Sequence, residues 1–131
     1  MVEEAAIAGK RILFVDDEEL AREFAAEVLQ DAGCTVHTAE DGCEAGRVFA
    51  DEHGQFDLVI TDWRMPNING RDLILNLRNF GYRGEVILTS SYINEKNTQH
   101  FHTAFHVEYL LPKPFTAEQL TEMVTDVFAE N

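Results

Sequence analysis

Carboxylate, hydroxyl and ammonium side chains follow short apolar runs at several points in this sequence. Asp16 and Asp17 follow the first run, and Asp62 follows the third. Thr89 and Lys113 stand at the ends of the fourth and fifth. Three carboxylates held close together repel one another and raise one another's pKa values unless a cation lies between them. A site with few ligands, all of them oxygen atoms, suits Mg²⁺, which keeps several of its waters.

Lys113 and Thr89 extend this chemistry beyond metal binding. An ammonium group, a hydroxyl group and a carboxylate-bound Mg²⁺ together make a site for a phosphoryl group. Mg²⁺ and Lys113 would neutralise developing negative charge while one carboxylate attacks phosphorus and forms an acyl phosphate. The sequence therefore predicts a phosphoryl-transfer site, provided that the fold brings these residues to one place.

The elements between these residues predict such a fold. Short β-type runs alternate with amphipathic helical periods five times, with no linker or internal repeat. This order is typical of a doubly wound α/β domain, with a five-stranded parallel sheet and helices on both faces. In such sheets ligands bind beyond the carboxyl ends of the strands. The predicted strands are Arg11–Val15, Cys34–Ala39, Phe56–Thr61, Glu85–Ser90 and Val107–Leu111.

The helices between the strands have their own sequence signals. Asp41 with Glu44, and Thr116 with Gln119, predict capping boxes that open the second and the last helix. The fourth helix, over Asn94–Phe105, has the weakest apolar pattern. The first helix has an apolar stripe that predicts a buried face. The residues of that stripe are Leu20, Ala21, Phe24, Ala25, Val28 and Leu29.

Composition narrows the classes of protein. The 131 residues include 24 acids and 10 bases, which gives a net charge of −14. That charge argues against binding to nucleic acid or to an anionic membrane surface, because both attract basic proteins. No apolar run exceeds four residues, which predicts neither a transmembrane helix nor a secretory signal. Cys34 and Cys43 are then expected to be reduced thiols in a cytoplasmic protein.

Four fragments of the sequence resemble the receiver domain of two-component response regulators. Each fragment alone is a weak signal, but together they occur in the family's order and on the expected elements. The similarity runs from Arg11 to about Phe128, so residues 1–10 are assigned to an N-terminal extension and residues 11–129 to the receiver domain. The fragments are Ile12–Asp17, Asp62–Gly70, Leu88–Ser90 and Lys113–Phe115.

This resemblance implies the fold and the roles of the reactive residues. The sheet would have the strand order 2-1-3-4-5 of flavodoxin-like and CheY-like domains. Asp62 would accept the phosphoryl group, Thr89 would hydrogen-bond to it and Lys113 would pair with one of its oxygens. The Lys113–Pro114 peptide bond is cis in the family, and an X–Pro bond makes that isomer accessible.

The resemblance also implies how Mg²⁺ is held. Asp17 would bind the ion directly and Asp16 largely through water. Asp62 and the backbone carbonyl of Arg64 would complete the protein ligands. The domain would not be an enzyme in the usual sense, since it catalyses only its own phosphorylation and the slow loss of its phosphoryl group.

Partners follow from the same resemblance. The donor would be a phosphohistidine on a sensor histidine kinase or a histidine phosphotransfer protein. A downstream protein would bind the face formed by the fourth helix, the fifth strand and the fifth helix. No direct contact with nucleic acid or a membrane is expected, and a phosphorylation-dependent homodimer is compatible with the family.

One position departs from the family's usual pattern, and Arg64 is a second position of interest. The family places a switch aromatic three residues before the lysine, where this chain has Leu110. Tyr109 lies one residue earlier, so strand alternation predicts that it faces the other way unless a bulge intervenes. Arg64, two residues after Asp62, would either hinder the hydrolytic water, contact a partner or simply lie on the surface.

Three other functions compete with this interpretation. A flavodoxin-like FMN protein would share the fold, but the acidic run after the first strand would repel the FMN phosphate. A Mg²⁺-dependent phosphatase would share the acyl phosphate, but its D-x-D motif is absent from Asp62-Trp63-Arg64. A receiver-shaped module that only binds partners typically lacks some of the acidic residues or the lysine, all of which are present here.

Overall fold

The protein is a parallel five-stranded sheet with helices on both faces. A computed structural model describes residues 6–129, apart from the side chain of Phe105. The strand order is β2-β1-β3-β4-β5 and every neighbouring pair is parallel, which confirms the predicted fold. The strands are β1 (Arg11–Val15), β2 (Thr35–Ala39), β3 (Leu58–Asp62), β4 (Glu85–Ser90) and β5 (Tyr109–Pro112). The helices are α1 (Glu19–Asp31), α2 (Gly42–Asp51), α3 (Gly70–Asn79), α4 (Thr98–Phe105) and α5 (Ala117–Ala129).

Each face of the sheet has its own hydrophobic core. One core lies under α2, α3 and α4 and includes Val59, Leu88 and Phe101. The other lies under α1 and α5 and includes Phe14 and Ile60. The inner strands are apolar on both sides because both sides are covered by helices, as in other parallel sheets. This double covering holds the strand ends in fixed positions.

Local signals in the sequence account for several helix boundaries. The Asp41 side chain accepts a hydrogen bond from the Glu44 backbone N–H at 2.8 Å, and the Glu44 side chain accepts one from the Glu40 N–H at 2.8 Å. Before α5, Thr116 and Gln119 bond reciprocally, each side chain accepting from the other residue's backbone N–H. The second arrangement is the predicted capping box, and the first is a variant in which Glu44 bonds to the residue before the N-cap.

The helix α4 is shorter than its predicted range. It begins at Thr98 rather than Asn94, because the Asn94 side chain instead accepts hydrogen bonds from the backbone N–H groups of Lys96 and Asn97. Such local side-chain bonds to the backbone compete with helix formation. The segment between β4 and α4 is therefore a structured loop.

The described part of the predicted N-terminal extension packs against the domain. Ile7 is fully buried in the core under α1 and α5. Its carbonyl accepts a hydrogen bond from the Cys34 thiol at 3.4 Å, and the Gly9 N–H donates to the Gly33 carbonyl at 2.9 Å. Residues 1–5 of the extension lie outside the described part of the chain. Within residues 6–129, none of the helices has the length and apolarity needed to cross a membrane.

Candidate functional site

The carboxyl ends of β1 and β3 bring three carboxylates to one edge of the sheet. Side-chain oxygen atoms of Asp16, Asp17 and Asp62 lie within 4.8 Å of one another. Asp16 is fully buried, Asp62 is 8% exposed and Asp17 is exposed. These residues meet because β1 and β3 are parallel neighbours, so the residues at their carboxyl ends lie side by side.

Lys113 brings an ammonium group into this acidic cluster from the loop after β5. Its Nζ lies 2.6 Å from Oδ2 of Asp16, 3.0 Å from Oδ2 of Asp62 and 3.7 Å from Oε1 of Glu18. The Lys113–Pro114 peptide bond is cis, as the resemblance implies. The Lys113 backbone N–H donates to the Ser90 carbonyl at 3.0 Å. This bond joins the loop to the end of β4.

Asp16 has a partner for each of its carboxylate oxygens. Its Oδ1 accepts a hydrogen bond from the Glu18 backbone N–H at 3.0 Å, and its Oδ2 accepts one from Lys113. The Arg22 guanidinium donates to the Asp16 backbone carbonyl at 2.7 Å. A fully buried carboxylate is tolerated because it is hydrogen-bonded and paired with a cation.

Burial and charge shift the pKa values of Asp62 and Lys113. Burial raises the pKa of Asp62, and the Lys113 ammonium lowers it only in part, while Asp16 and Asp17 raise it further. Burial alone would lower the pKa of Lys113, but its hydrogen bonds and attraction to Asp16 and Asp62 raise it above its ordinary value. Lys113 is therefore charged at neutral pH, and an ionised Asp62 is less stable here than in water.

The donor set fits a small divalent cation. Three carboxylates stand against a single ammonium in this cluster, which leaves an excess of negative charge at a partly open position. All the side-chain donors are hard oxygen atoms, the ligands that Mg²⁺ takes, and Mg²⁺ completes its octahedron with water. The exposed Asp17 gives such an ion access from solvent.

Thr89 ends β4 next to Asp62. The two residues are direct partners in the β3–β4 register, and Thr89 is 1% exposed. Its hydroxyl donates to the Thr61 carbonyl at a long distance of 3.5 Å, so this hydrogen bond is weak. The hydroxyl thus lies at the end of β4, beside the strand position of Asp62, without a strong partner of its own.

Tyr109 and Leu110 face opposite sides of the sheet. Tyr109 packs in the core under α1 and α5, whereas Leu110 packs in the core under α2, α3 and α4. The β4–β5 register runs without a bulge, pairing Ile87 with Tyr109 and Leu88 with Leu110. Strand alternation predicted this arrangement. Leu110, three residues before Lys113, therefore faces the core that α4 covers.

Arg64 is exposed at the site and its guanidinium lies over two aromatic rings. The guanidinium carbon is 4.8 Å from the Trp63 ring centroid and 4.5 Å from that of Tyr92. The Trp63 ring also contacts Tyr92 and Phe101 edge to face, at 5.8 Å and 5.2 Å between centroids. The sequence pattern did not indicate Tyr92, because the loop after β4 has no regular period.

An open cavity of about 530 Å³ lies beside the acidic cluster. Asp62, Lys113 and Arg64 line its polar side, and Leu20 and Phe24 line its apolar side. Leu20 is 79% exposed and Phe24 is 41% exposed, so the prediction that they belong to a buried stripe is wrong. Ala25 and Leu29 are the buried residues of α1, while Leu20 and Phe24 border the open cavity.

Comparison with proteins of known sequence places this chain and its relatives in one family. The family described as the response regulator receiver domain matches residues 12–125. The chain is 31% identical over 122 residues to chemotaxis protein CheY-3 of Vibrio cholerae, covering 90% of this chain and 91% of that protein. It is 31% identical over 116 residues to the sensor kinase CckA of Brucella abortus, covering 88% of this chain and 12% of the kinase. The chain thus spans nearly all of one relative and a small part of the other.

Solved structures give the same result. The fold is similar to that of the chemotaxis protein CheY4 of Vibrio cholerae, with a TM-score of 0.81, 29% identity and coverage of 92% of this chain and 99% of that one. It is also similar to the receiver domain of the hybrid histidine kinase CckA, with a TM-score of 0.75, 34% identity and coverage of 90% and 98%. Domains of this kind are signalling modules rather than classical enzymes. The chain belongs to the family of response regulator receiver domains.

Proposed function

We propose that this receiver domain takes a phosphoryl group from a phosphohistidine onto Asp62 and signals through a change in its partner-binding face. The observation that carries the proposal is the Lys113 ammonium, 3.0 Å from the Asp62 carboxylate in a cluster that includes Asp16 and Asp17. A nucleophile, a fixed cation and additional carboxylates for a metal ion are the components that phosphoryl transfer needs.

Asp62 is the nucleophile in the proposed reaction. One of its carboxylate oxygens bonds to phosphorus while the bond between phosphorus and the imidazole nitrogen of the donor breaks. The leaving imidazole keeps the electron pair and takes a proton from water. Lys113 binds a phosphoryl oxygen, and the Thr89 hydroxyl donates a hydrogen bond to another. Hydrolysis of the acyl phosphate returns Asp62 to a carboxylate and ends the signal.

The residues that would hold Mg²⁺ are Asp16, Asp17, Asp62 and, through its backbone carbonyl, Arg64. Bound Mg²⁺ would supply positive charge at the phosphoryl oxygens. Asp17 is exposed and suited to direct binding. Both oxygens of Asp16 already accept hydrogen bonds, which suits a contact through water.

The apolar side of the cavity supports a docking position for the donor. Leu20, Phe24 and Phe115 line it, and the rings of Phe24 and Phe115 lie 6.3 Å apart between centroids. An exposed apolar patch next to a reactive group suits a helix that carries the phosphohistidine of a sensor kinase or phosphotransfer protein. Residues 1–62 hold 16 acids and 4 bases, so a partly basic donor surface and salt-sensitive transfer are expected.

The downstream partner is assigned to the face of α4, β5 and α5. A second cavity of about 550 Å³ lies on this face, lined by His102, Glu108, Leu110 and Met123 among others. A concave surface that joins apolar and polar side chains suits binding of a protein segment. A phosphorylation-dependent homodimer would be seen as a change in solution mass when Asp62 is phosphorylated.

Intact mass after incubation with acetyl phosphate and Mg²⁺ tests the central claim. We expect a gain of one phosphoryl group in the wild-type protein, none in Asp62→Asn, and none when a chelator removes Mg²⁺. Asp57→Asn is the matched control, because Asp57 lies before β3 and its carboxylate binds the Arg11 backbone N–H instead. Absence of any gain, with acetyl phosphate or with a phosphohistidine donor, would favour a module that only binds partners.

A further inference from the structure

Most of the large apolar side chains that the structure leaves exposed lie on two helices. Leu20 and Phe24 of α1 are 79% and 41% exposed. Leu75 of α3 and Phe80 at its C-terminal end are 48% and 73% exposed. Tyr92, the other one among the described residues, lies in the loop after β4. Grouped apolar side chains on a surface mark a place where another molecule binds.

The exposed side of α3 is basic in an acidic protein. Residues 70–84 contain three arginines and one aspartate, a net charge of +2, in a chain whose net charge is −14. Arg71 and Leu75 are four residues apart and both exposed, so they share one side of the helix. Arg83 is exposed at the C-terminal end of α3, where its guanidinium donates to the Arg78 carbonyl at 3.2 Å. The α3 face, as we define it, consists of Arg71, Leu75, Phe80 and Arg83.

A cavity adjoins the α3 face. It has a volume of about 310 Å³ and lies between the C-terminal ends of α2 and α3, with Phe80, Phe49 and His53 among its lining residues. Phe80 therefore belongs both to the exposed face and to the wall of a concave site. Such a site suits an apolar side chain that another surface presents.

The exposed side of α1 has the opposite charge. Residues 18–31 contain five acids and one base, a net charge of −4. The base, Arg22, donates to the Asp16 backbone carbonyl at 2.7 Å. Three exposed glutamates follow one another at intervals of four residues, which places them in one stripe of the helix. The α1 face consists of these glutamates with the exposed apolar pair: Glu19, Glu23, Glu27, Leu20 and Phe24.

The charges of both faces are available to a binding partner. The salt bridges formed within residues 6–129 include neither Arg71 nor Arg83. They also include none of the three glutamates of the α1 face. The two faces therefore match in both respects that favour association, since each has an exposed apolar pair and their unpaired charges are opposite.

We propose that the partner of the α3 face is a second copy of this chain, which docks through its α1 face. The apolar pairs would contact each other, and the glutamates of one copy would lie near the arginines of the other. The apolar contact would supply affinity, while the opposite charges would set the orientation. Each copy has a net charge of −14, so long-range repulsion keeps the association weak.

The positions of the two helices set the form of the assembly. Leu29 of α1 and Leu77 of α3 are buried in different cores, on opposite faces of the sheet. One copy is thus unable to use both helices against the same neighbour. The contact is head to tail, and it adds further copies in an open chain instead of closing a symmetric dimer.

This inference does not depend on the proposed function, because no phosphoryl group takes part in it. It does affect access to the phosphoryl site. The apolar pair of the α1 face also lines the cavity beside Asp62, where the donor is expected to dock. A docked copy and a docked donor would therefore exclude each other.

Sedimentation velocity of the whole chain, from about 10 μM to about 1 mM, tests the association. We expect the mean sedimentation coefficient of the wild type to rise across this range. A variant of the α3 face, Leu75→Gln with Phe80→Gln, should sediment as a single copy throughout. So should a variant of the α1 face, Leu20→Gln with Phe24→Gln. All four side chains are exposed, and thermal unfolding checks that each variant keeps the fold.

An equal mixture of these two variants tests which faces meet. The α1 variant keeps its α3 face and the α3 variant keeps its α1 face, so the mixture should form a one-to-one pair that does not grow further. If like faces met instead, the α3 variant alone would still associate through α1, and the inference would be wrong.

Charge reversal tests the part played by the arginines. In the mixture, Arg71→Glu placed on the α1 variant should weaken the pair about tenfold, because it sets like charges against each other. Lys96→Glu is the matched control. It changes the net charge by the same amount at an exposed position outside both faces, so it should leave the affinity nearly unchanged.

Three results would overturn the inference. The first is a wild-type protein that sediments as a single copy up to about 1 mM. The second is a mixture of the two variants that forms no pair. The third is equal weakening by Arg71→Glu and Lys96→Glu, which would show that only the net charge matters. The gain of a phosphoryl group at Asp62 is measured separately, so each proposal succeeds or fails on its own result.

Discussion

Two ionic clusters lie near opposite edges of the sheet, with similar distances and very different surroundings. At the carboxyl edge, Lys113 is 2.6 Å from Asp16, and their side chains are 16% and 0% exposed. Near the amino end of β1, Arg11 is 2.7 Å from Glu52, and their side chains are 33% and 32% exposed. The two N···O distances alone would suggest equal contributions to stability, but the side chains at the carboxyl edge are much more buried.

This difference explains what each cluster does. The Arg11 cluster holds chain segments together, since Nε of Arg11 also donates to the Gln55 carbonyl at 2.7 Å and its backbone N–H to Asp57 at 2.8 Å. The charges of Arg11 and Glu52 remain partly solvated. The Lys113 cluster has more acids than bases in a largely buried place, so its charges are strongly coupled and its oxygen atoms suit a cation.

Removal of Lys113 should give the largest loss of stability. Lys113→Met leaves Asp16 fully buried without its cation, and breaking a buried ion pair in this way costs about 3 kcal/mol or more. Urea unfolding at neutral pH without Mg²⁺ measures the loss. Arg11→Met, at the other cluster, is the matched comparison and should lose much less. Equal losses would contradict the contrast between the two clusters.

The backbone of the carboxyl edge should also tolerate little change. Gly70 opens α3, and its N–H donates to the Trp63 carbonyl at 2.7 Å. A Cβ added there would overlap the carbonyl oxygen of Asp62, whereas a Cβ on Gly46 in α2 would meet nothing within 4 Å. We expect Gly70→Ala to lose about 2 kcal/mol through this overlap. Gly46→Ala should gain about 0.5–1 kcal/mol from helix propensity, and urea unfolding of both variants checks the opposite signs.

The Asp62 carboxyl should impose a pH-dependent cost on the stability of the fold. The folded-state pKa of Asp62 is raised, so its contribution is favourable below the unfolded-state pKa, about 4, and is lost as pH rises through the folded-state value. Asp62→Asn cannot ionise, so without Mg²⁺ it should melt a few degrees above the wild type at pH 7. The two proteins should converge near pH 3. A wild type that is the more stable of the two at pH 7 would contradict this sign.

The smallest change in stability is expected at the Arg11 cluster. Glu52→Gln removes the ion pair with Arg11 but keeps a hydrogen-bond acceptor, so it should lose no more than about 0.5 kcal/mol. High salt should abolish the difference, because the pair is partly exposed and screened. Urea unfolding in low and high salt tests this. A loss of stability that persists in high salt would show that the Arg11–Glu52 pair, like the pairs around Lys113, is not screened by salt.

Helix α1 illustrates the limit of sequence patterns. Its apolar stripe correctly predicts a helix that packs on the sheet through Ala25 and Leu29. The same stripe assigns Leu20 and Phe24 to the buried face, yet both line the open cavity. Periodicity reports which side of a helix is apolar, but it contains no information on where the sheet beneath that helix ends.

The fifth strand illustrates the opposite case. Counting back from Lys113 and applying strand alternation was enough to predict that Tyr109 and Leu110 face different cores. The structure confirms this arrangement. Side-chain direction in a strand depends on local geometry with a period of two residues, so the prediction needed no knowledge of distant contacts.

The sequence by itself determined the alternation of the elements and the residue types at the strand ends, because period and capping are local properties, and its four motifs indicated the family by resemblance. Only the tertiary structure decided that Lys113 bonds to Asp16, 97 residues away in sequence. It also brought Tyr92 and Trp63 together beneath Arg64. Contacts of this kind depend on loop paths and on side-chain packing between segments, and their energies arise from burial, which no local pattern of residues specifies.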